Sequence, residues 1–302
     1  MKKVSVTVPA TTANIGVGFD CLGAALTMAN EFQFVVVDND TKLEIIVEGE
    51  EADKVGLGEN NLIYRSLVQL YQHIQQTPPH LKITIKLGVP LSRGLGSSAT
   101  AIIGGLLGAN SLAGNPLSQT EIMEMAIAIE GHPDNVVPAL LGNCLLSVED
   151  RGEWQISQIP WHQDIIPIVA IPNFELSTRE AREVLPTEYT RSDAIFNISR
   201  MGLLIRGLET NNPEWLKTAL ADKLHQPYRQ KLITGYQEVE QAALSAGAYG
   251  MVISGAGPTL LALTNPEQVE PVVKSMMAAW DSMGVESQVR SLAINSLGAK
   301  VI

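Results

Sequence analysis

The stretch Pro90-Leu-Ser-Arg-Gly-Leu-Gly-Ser-Ser-Ala-Thr100 decides the fold, because it joins an expected strand to an expected helix through two glycines. Before it, Leu81–Leu87 alternates apolar and polar residues, as a half-buried strand does. After it, residues 100–112 are small and apolar, which is typical of a tightly packed helix. Gly94 and Gly96 permit a sharp turn and a close approach to a ligand that a Cβ would block. Free N–H groups and the helix dipole at such a helix start favour an anion.

Ser97 and Ser98 add two hydroxyls to this loop, so a phosphate cradle is the leading interpretation. A glycine-rich turn with serine capping the next helix fits the same residues. The pattern Gly94-x-Gly96-x-x-Ala99 also fits a dinucleotide fingerprint, which would imply a nicotinamide-linked oxidoreductase. That fingerprint needs an acidic strand-end residue about 20 positions on, whereas Glu121 lies in a pattern typical of a capped helix. A Walker A loop is excluded, because no Gly-Lys-Ser/Thr follows the glycines.

Composition describes an ordinary folded protein with room for a substantial core and two domains. The chain has 302 residues, of which 45% are hydrophobic and 18% charged. Its net charge of −11 argues against broad nucleic-acid binding, although a local cradle of N–H groups and arginines still suits a small anionic ligand. Cys21 and Cys144 are too few for a four-cysteine zinc site or a disulfide scaffold, so we expect free thiols in a reducing cytosol.

No targeting or membrane segment is expected. Residues 1–9 alternate like a strand and lack the apolar block of a signal peptide. The longest apolar stretch, residues 136–148, is interrupted by Pro138 and Asn143 and is too short to span a bilayer. The sequence therefore predicts a soluble cytoplasmic protein without a membrane partner.

Strand and helix patterns are mixed along the chain, which favours an α+β fold over a doubly wound parallel sheet. Strands are expected at residues 4–8, 31–37, 43–47, 81–87, 140–148, 165–171, 249–254, 259–263 and 286–292. Helices are expected at residues 61–75, twice after the glycine loop, and at 191–209, 213–220, 236–246 and 266–283. A boundary near Pro160, between Trp154 and Trp161, divides the chain into domains of residues 1–160 and 161–302.

Two further glycine-rich segments carry polar groups among small residues. Asn14 and Asp20 lie in Pro9–Gly23, where their side chains can converge on a ligand, although both are also ordinary turn residues. The segment Ser254–Leu260 fits a hairpin turn between two strands and, alternatively, a second loop that closes over phosphate.

The segment Glu130-Gly-His-Pro-Asp-Asn135 brings two carboxylates, an imidazole and an amide together after a helix. Glu130 suits Mg²⁺, which prefers one or two carboxylates together with substrate phosphates. His132 fits this site or a satisfied loop position equally well. A zinc site is disfavoured, because no other His or Cys stands nearby at metal-ligand spacing.

Together, Pro9–Gly23, Pro90–Thr100 and Ser254–Leu260 look like the three signature motifs of the GHMP kinase superfamily, in the family's order. The middle motif, Pro-x-x-x-Gly-Leu-Gly-Ser-Ser-Ala, is highly specific. Within the superfamily the chain is most similar to the homoserine kinase branch, and the likeness rests on residues 14–20, 130–139, 177–186 and 228–232. A mevalonate kinase is expected to show His-Gly-x-Pro-Ser-Gly-x-Asp near the second of these segments, where this chain has Gly-His-Pro-Asp-Asn.

This resemblance implies a two-domain α+β fold: an N-terminal mixed α/β domain that binds ATP, a C-terminal ferredoxin-like domain, and an active site in the cleft between them. It implies ATP-dependent phosphorylation of the L-homoserine hydroxyl, within threonine biosynthesis. It places the ATP phosphates on the glycine loop and Mg²⁺ on Ser98 and Glu130. The implied nucleotide contacts are Asn61, Pro90, Leu91, Ser92, Arg93, Gly94, Leu95, Gly96, Ser97, Ser98, Ala99, Thr100, Gly255 and Gly257.

For the acceptor, the resemblance pairs Asp20 with the ammonium group and gives Asn14 a neutral hydrogen bond. Arg182 and Arg229 would fork onto the carboxylate, which suits a planar guanidinium, although Arg182 alone would look ordinary on any exposed helix. The other implied substrate contacts are His132, Asn135 and Thr178.

The implied catalytic residues are Asn135, Asp134 and Arg182. Several relatives use an aspartate paired with a lysine as the base, but this branch resembles one with an asparagine near that place, which would be Asn135. Catalysis would then rest on alignment and charge neutralisation, as a loose phosphoryl transition state permits. Asp134 remains the alternative base by adjacency.

Three alternatives stay open beside this interpretation. One is another GHMP small-molecule kinase with a mevalonate- or sugar-type acceptor, and another is the oxidoreductase named above. A third is a non-catalytic sensor, although Ser98, Glu130 and all three loops are present together. A homodimer is compatible with this sequence, but no motif in it indicates an oligomeric state.

Overall fold

The computed structural model describes residues 2–38 and 41–302. In chain order the strands are β1 Lys3–Ala13, β2 Leu22–Val36, β3 Leu43–Glu48, β4 Leu81–Lys86, β5 Cys144–Asp150, β6 Glu153–Ile159, β7 Ile166–Pro172, β8 Gly250–Ile253, β9 Leu260–Thr264, β10 Ser287–Ser291 and β11 Lys300–Val301. The helices are α1 Leu62–His73, α2 Ser97–Leu112, α3 Gln119–Glu130, α4 Pro133–Leu141, α5 Thr178–Glu183, α6 Arg191–Thr210, α7 Pro213–Ala219, α8 Gln226–Arg229, α9 Tyr236–Ser245 and α10 Val269–Asp281.

The first sheet has the order β11-β1-β2-β4-β3, with β5 paired to the start of β2 and β6 paired to β5. Its neighbours are antiparallel except β3 and β4, which run parallel. Helices α1 to α4 share one apolar core with this sheet. The mixed α/β half that the sequence predicted is confirmed, and its longest strand, β2, lies at the centre of the sheet.

Helix α2 is rich in glycine because it lies directly on large side chains. A Cβ at Gly104 would come within 2.3 Å of Phe32, and one at Gly108 within 2.4 Å of Phe34, both on β2. A Cβ at Gly105 would lie 2.4 Å from the carbonyl oxygen of Ile63 on α1. The small residues therefore allow the helix to lie close to the sheet, which fixes where its N-terminus, and with it the glycine loop, stands.

The second sheet has the order β10-β7-β9-β8 and is antiparallel throughout. Helices α9 and α10 pack on one of its faces. On its other face, Val169 of β7 lies in an apolar core shared with α6, α7 and residues of the first sheet, including Leu22 of β2. The four-stranded sheet with helices on one face agrees with the ferredoxin-like half expected from the sequence, and the shared core joins the two halves.

The chain returns to the first sheet at its end. Ala293 N donates to Thr27 Oγ1 (2.9 Å), Ile294 forms a bridge with Leu26, and β11 pairs with β1. Residues 293–302 therefore lie with the first sheet, although they follow the predicted boundary at residue 160. That boundary, between β6 and β7, stays a prediction.

Between the glycine loop and residue 160, two features differ from the sequence expectations. Three helices, not two, follow the glycine loop, because α4 occupies the first part of the apolar run at 136–148 and β5 begins only at Cys144. Within an uninterrupted apolar run, periodicity does not separate a helix end from a strand start. Strand β6 was not expected, although residues 153–157 alternate polar and apolar side chains, because this segment was interpreted as the approach to the boundary near Pro160. In the described residues no helix is long and apolar enough to cross a membrane, and both cysteines are free.

Candidate functional site

A cleft of about 470 Å³ runs between the two halves, and most of the predicted site residues line it. They come from the β1–β2 loop, the α1 entry, the glycine loop, the α3–α4 junction, α5, α8 and the β8–β9 turn. The predicted site residues found in its walls are Asn14, Asp20, Asn61, Leu91, Ser92, Arg93, Gly94, Gly96, Ser97, Ser98, Glu130, His132, Asp134, Asn135, Thr178, Arg182, Arg229, Gly255 and Gly257. Those outside its walls are Pro90, Leu95, Ala99 and Thr100.

The glycine loop contacts the other signature segments directly. Gly94 and Gly96 have left-handed backbone angles, with φ of 73° and 68°. A Cβ at Gly94 would lie 2.3 Å from the carbonyl oxygen of Ser254, and one at Gly96 would lie 2.0 Å from Thr11 Oγ1. The loop therefore needs glycine both for its turns and because two other segments press against its backbone.

The start of α2 is a free helix N-terminus that faces the cleft. Gly96 is its N-cap and makes no side-chain cap, while Ser97 and Ser98 form the first turn in the cleft wall. Unpaired N–H groups and the positive end of the helix dipole make such a terminus an anion site. This geometry agrees with the phosphate cradle predicted from the sequence.

Arg93, a predicted nucleotide contact, uses its guanidinium to join the two halves of the molecule. Nε and Nη2 donate to the carbonyl oxygens of Pro172 (3.0 Å) and Asn173 (2.9 Å), and Nη1 donates to Leu91 O (2.8 Å). The side chain is 6% exposed and lies 3.5 Å from Glu51. Three N–H groups of the guanidinium are bonded to backbone carbonyl oxygens, so Arg93 positions the loop, and its predicted nucleotide contact stays a prediction.

Leu95, Ala99 and Thr100 are completely buried under the loop. Thr100 Oγ1 donates to Ser97 O (2.8 Å) and accepts from Asn30 Nδ2 (2.8 Å), and Leu95 and Ala99 pack in apolar cores. Their side chains pack beneath the loop and do not face the cleft. This packing holds the start of α2 in place. Any contact from these residues to a ligand would come from the backbone.

Ser98 and Glu130 meet in the cleft wall, where Ser98 Oγ donates to Glu130 Oε2 at 2.8 Å. Glu130 is the last residue of α3, and Gly131 ends the helix in a left-handed conformation with φ of 89°. Across the described ranges, no group of three or more His, Cys, Asp or Glu side chains is arranged to hold a metal ion. One hydroxyl and one carboxylate beside a phosphate loop fit Mg²⁺, which completes its shell with phosphates and water.

Asp134 is the centre of a short polar chain at the start of α4. Its Oδ1 lies 2.8 Å from His132 Nδ1 and accepts from Asn135 Nδ2 at 3.3 Å. Asn135 Oδ1 in turn accepts from Thr11 Oγ1 at 2.7 Å, and it lies 3.2 Å from the position of a Cβ on Gly96. The amide of Asn135 is therefore held in a fixed orientation beside the phosphate loop.

The charge of this cluster shifts the titration of His132. Burial alone would lower the pKa of His132, but the hydrogen bond that its Nδ1 donates to Asp134 and the charges of Asp134 and Glu130 outweigh burial and raise the pKa above its usual value. Asp134 itself is 2% exposed. Its carboxylate is thus committed to neighbours within the protein.

Asp20 and Arg182 form a bidentate ion pair across the cleft. Arg182 Nη1 donates to Asp20 Oδ2 (3.0 Å) and Nη2 donates to Oδ1 (2.8 Å). The hydrogen bond to Asp20 raises the pKa of Arg182. Helix α5, which carries Arg182, begins with a capping box between Ser177 and Glu180 and places Thr178 in the cleft wall. The two groups predicted to hold opposite ends of the acceptor therefore hold each other.

Arg229 lies deeper, and only 2% of it is exposed. Its Nε donates to Ala181 O (3.0 Å) and its Nη1 to Gly255 O (3.2 Å). Burial, reinforced by the charge of Arg182, lowers the pKa of Arg229 to about 10. A buried guanidinium in the wall of the cleft is a strong attractor for an anionic group.

Asn14 and Asn61 both use their side chains to shape loops. Asn14 Nδ2 donates to Gly255 O (2.8 Å), and its Oδ1 accepts from Asp20 N (3.0 Å). Asn61 caps α1 through Ile63 N (3.0 Å) and donates to Gly56 O (2.7 Å). The carbonyl oxygen of Gly255 thus accepts hydrogen bonds from both Asn14 and Arg229, and the predicted nucleotide contact of Gly255 stays a prediction.

Sequence reasoning missed Thr11, Phe19 and His225. Thr11 is a buried strand residue whose hydroxyl orients Asn135. The Phe19 ring stacks on His225 with centroids 5.1 Å apart and lies beneath Arg182 and Arg229. Thr11 and Phe19 lie within the first signature segment, but residue type alone did not distinguish them from ordinary core positions.

Family models and relatives match this chain over most or all of its length. The model described as "GHMP kinases N terminal domain" matches residues 61–143, and "GHMP kinases C terminal" matches residues 204–282. The homoserine kinase of Crocosphaera subtropica is 65% identical over 302 residues, which is 100% of this chain and 98% of that protein. The homoserine kinase of Trichodesmium erythraeum is 60% identical over 99% of this chain and 98% of its own.

Solved structures show the same similarity in three dimensions. Homoserine kinase from Cytophaga hutchinsonii superposes with a TM-score of 0.90 at 29% identity, covering 100% of this chain and 98% of that one. Mevalonate kinase from Methanococcus jannaschii superposes with a TM-score of 0.72 at 15% identity, over 96% of this chain and 98% of that one. At that identity the second likeness concerns the fold alone.

Proposed function

This chain belongs to the GHMP kinases, and from that premise we propose that it transfers the γ-phosphoryl group of ATP to the hydroxyl of L-homoserine, giving O-phospho-L-homoserine. It is an ATP-dependent kinase by family. The homoserine kinases named above match it from end to end, with up to 65% identity. The acceptor assignment rests on that similarity and on the polar groups that the cleft brings together.

The donor side is the glycine loop and the start of α2. The backbone N–H groups from Gly96 onward would receive the phosphates, because no side chain caps this helix. The close packing of Gly94 and Gly96 against neighbouring segments holds the loop in shape before the nucleotide arrives. Such preorganisation lets binding energy align the phosphates instead of ordering the loop.

Ser98 and Glu130 would hold Mg²⁺, because they bring a hydroxyl and a carboxylate together at the phosphate loop. When bound, the ion neutralises charge on the β- and γ-phosphates. Ser98 also orients the Glu130 carboxylate through its hydrogen bond. The first turn of α2, which carries Ser98, would face the phosphates.

The acceptor side is built around Asp20, Arg182 and Arg229. L-Homoserine carries an ammonium and a carboxylate, so it can satisfy the carboxylate of Asp20 and the guanidinium of Arg182 when these separate. The deeper Arg229 adds positive charge that does not need to be released from an ion pair. A zwitterionic acceptor therefore fits this side of the cleft better than a neutral sugar.

Asn135 would direct the acceptor hydroxyl towards the γ-phosphate. Its amide is fixed between Thr11 and Asp134, next to Gly96, at the place where donor and acceptor sides meet. In a loose phosphoryl transition state, positioning contributes more than deprotonation of the hydroxyl. The proton of the acceptor hydroxyl would leave towards solvent or the phosphate. Asp134 is the alternative group to take this proton, because its carboxylate is hydrogen-bonded to Asn135.

The single observation that carries this proposal is that the glycine loop, the Asp20–Arg182 pair and Asn135 line one cleft. The test measures ADP release with Mg-ATP and homoserine, mevalonate, galactose or shikimate, each at several concentrations. We expect homoserine to be preferred by at least about 100-fold in kcat/KM. Preference for mevalonate or galactose would reassign the acceptor within the family, and no ADP release with any acceptor would contradict the proposal.

The remaining assignments rest on this function. We propose a role in threonine biosynthesis and a cytoplasmic location, as expected for such an enzyme. Domain limits of 1–160 and 161–302 remain a proposal, as does a homodimer.

A further inference from the structure

A completely buried histidine, His225, lies behind the acceptor side of the cleft and has no part in the function proposed above. It precedes the short helix α8, whose last residue is Arg229. Asp222 holds its backbone, because Asp222 Oδ2 accepts from the N–H groups of His225 and Gln226, both at 2.8 Å. The imidazole therefore projects from an anchored turn.

Both ring nitrogens of His225 contact groups of the site. Nε2 lies 2.8 Å from the carbonyl oxygen of Gly16, in the β1–β2 loop that carries Asp20. Nδ1 lies 3.4 Å from Arg229 Nη1. The imidazole thus bridges the loop of the first half and the guanidinium of the second.

Those two partners decide the protonation of the ring. A carbonyl oxygen only accepts hydrogen bonds, so Nε2 must carry the proton, and a guanidinium only donates, so Nδ1 must be bare. The contacts together require the neutral Nε2–H tautomer. A protonated imidazole would lose the acceptor for Arg229 and place a second cation beside it.

Phe19 extends this arrangement to the front of the cleft. Its ring stacks on the imidazole with a 5.1 Å centroid distance and an interplanar angle of 18°. The Cζ atoms of Arg229 and Arg182 lie 5.0 Å and 5.8 Å from the centroid of the same ring. The position of the imidazole therefore affects both guanidinium groups.

The hydrogen bonds of Arg229 leave one end of its guanidinium available. Nε is bonded to Ala181 O, and Nη1 is shared between Gly255 O and His225. Among residues 2–38 and 41–302, no acceptor is bonded to Nη2, and Arg229 lines the cleft. Fixing Nε and Nη1 fixes the plane of the guanidinium and hence the direction of Nη2.

We propose that His225, as the neutral Nε2–H tautomer, is a positioning residue that aims Arg229 at the carboxylate of the acceptor and anchors the β1–β2 loop beside it. This inference rests on the proposed homoserine kinase activity. It assigns to a residue outside the cleft wall a specific influence on acceptor binding, with no direct contact to either substrate.

Two substitutions separate the two hydrogen bonds of the ring. His225→Gln places an amide nitrogen near Nε2, so it keeps the donor for Gly16 O and loses the acceptor for Arg229. His225→Asn places an amide oxygen near Nδ1, so it keeps that acceptor and loses the contact with Gly16. We expect His225→Gln to raise the KM for homoserine about tenfold, His225→Asn to raise it less, and both to leave the KM for ATP within about twofold.

The matched control is Gln226→Met at the next residue, the first of helix α8. Gln226 is also a buried polar residue, but its side chain bonds Ile253 N and Leu220 O, away from the cleft. We expect this variant to lower the melting temperature without the rise in the KM for homoserine. If the histidine variants lower the melting temperature but keep the wild-type KM for homoserine, or raise both KM values equally, the inference is overturned.

A measurement on the unmodified protein covers the case in which the variants do not fold. Long-range proton–nitrogen correlation spectra of the ¹⁵N-labelled chain distinguish the two neutral tautomers and the cation for each histidine. A neutral Nε2–H ring for His225 is expected at pH 7, and an Nδ1–H or charged ring would overturn the inference. A wild-type enzyme inactive on homoserine overturns the proposed function and this inference with it, whereas an active one with unaffected variants overturns the inference alone.

Discussion

At the scale of single residues, the cleft is organised by side chains that bond one another across long sequence distances. Ser98 meets Glu130, and Asp20 meets Arg182 in a bidentate pair. Arg93 has the residue type of a phosphate ligand, yet it bonds three carbonyl oxygens of the protein. Residue type thus indicates the chemistry available, while the partners decide which groups remain for a ligand.

The metal assignment is testable at Ser98 and Glu130. We expect Ser98→Ala and Glu130→Gln each to lower kcat by about 10²-fold or more, because each removes an oxygen that would hold Mg²⁺ beside the phosphates. The KM for homoserine should change little. The measurement is kcat as a function of Mg²⁺ concentration, in which higher Mg²⁺ should partly restore the variants.

Ser111→Ala, at the far end of the same helix α2, is the matched control for Ser98→Ala. It removes a hydroxyl from the helix without touching the cleft, so its kcat should equal that of the wild type. Unchanged turnover in Ser98→Ala or Glu130→Gln would contradict the metal assignment.

At the scale of elements, α2 determines where the phosphate loop lies. Its glycines bring the helix against Phe32 and Phe34 of β2, and the loop at its N-terminus is packed against Thr11 and Ser254. Strand β4, before the loop, was predicted correctly from the alternation of apolar and polar residues, and helix α2, after the loop, from its small apolar residues. The division of the apolar run at 136–148 into α4 and β5 was not, because neighbouring apolar residues carry no period that separates them.

The packing of α2 against β2 can be tested with two glycine-to-alanine substitutions, which we expect to change the free energy of unfolding in opposite directions. Gly108→Ala would place a Cβ 2.4 Å from the Phe34 ring, so we expect it to destabilise the fold by about 1–3 kcal/mol. Gly202→Ala on α6 meets nothing within 4 Å, so its better helix propensity should stabilise by about 0.5–1 kcal/mol. Chemical denaturation measures both free energies of unfolding, and equal effects of the two would refute this account of packing.

At the scale of the whole molecule, the two sheets share an apolar core, and the cleft has walls from both halves. The last residues, 293–302, return to the first sheet and pair with β1. His225 lies in the contact between the halves, so its protonation affects the stability of the whole fold.

Burial lowers the pKa of His225, and nearby Arg229 also lowers it, although the charge of Asp222 acts in the opposite direction. The unfolded chain, with an ordinary histidine pKa of about 6.5, binds the proton more readily than the folded one. The stability due to the neutral ring is therefore complete above that pH and is lost as the pH falls below it. We expect the free energy of unfolding to fall more steeply between about pH 6.5 and 5.5 in the wild type than in His225→Gln, by up to about 1.4 kcal/mol per unit.

Denaturant titrations at several pH values measure that difference directly. Parallel curves for the wild type and His225→Gln would show that this histidine does not titrate differently in the folded and unfolded states. That result would contradict the neutral, buried ring at the level of the whole fold.

The sequence by itself determined the glycine loop, most of the strands and helices, and the residue set from which the cleft is built. Those features depend on local demands: a left-handed φ at Gly96, alternation in β4, and small side chains along α2. Only the tertiary structure decided that Arg182 faces Asp20, that Arg93 turns inward, and that His225 lies behind Arg229. These partners are far apart in the chain, and the hydrogen-bond geometry that selects them exists only once both halves are packed together.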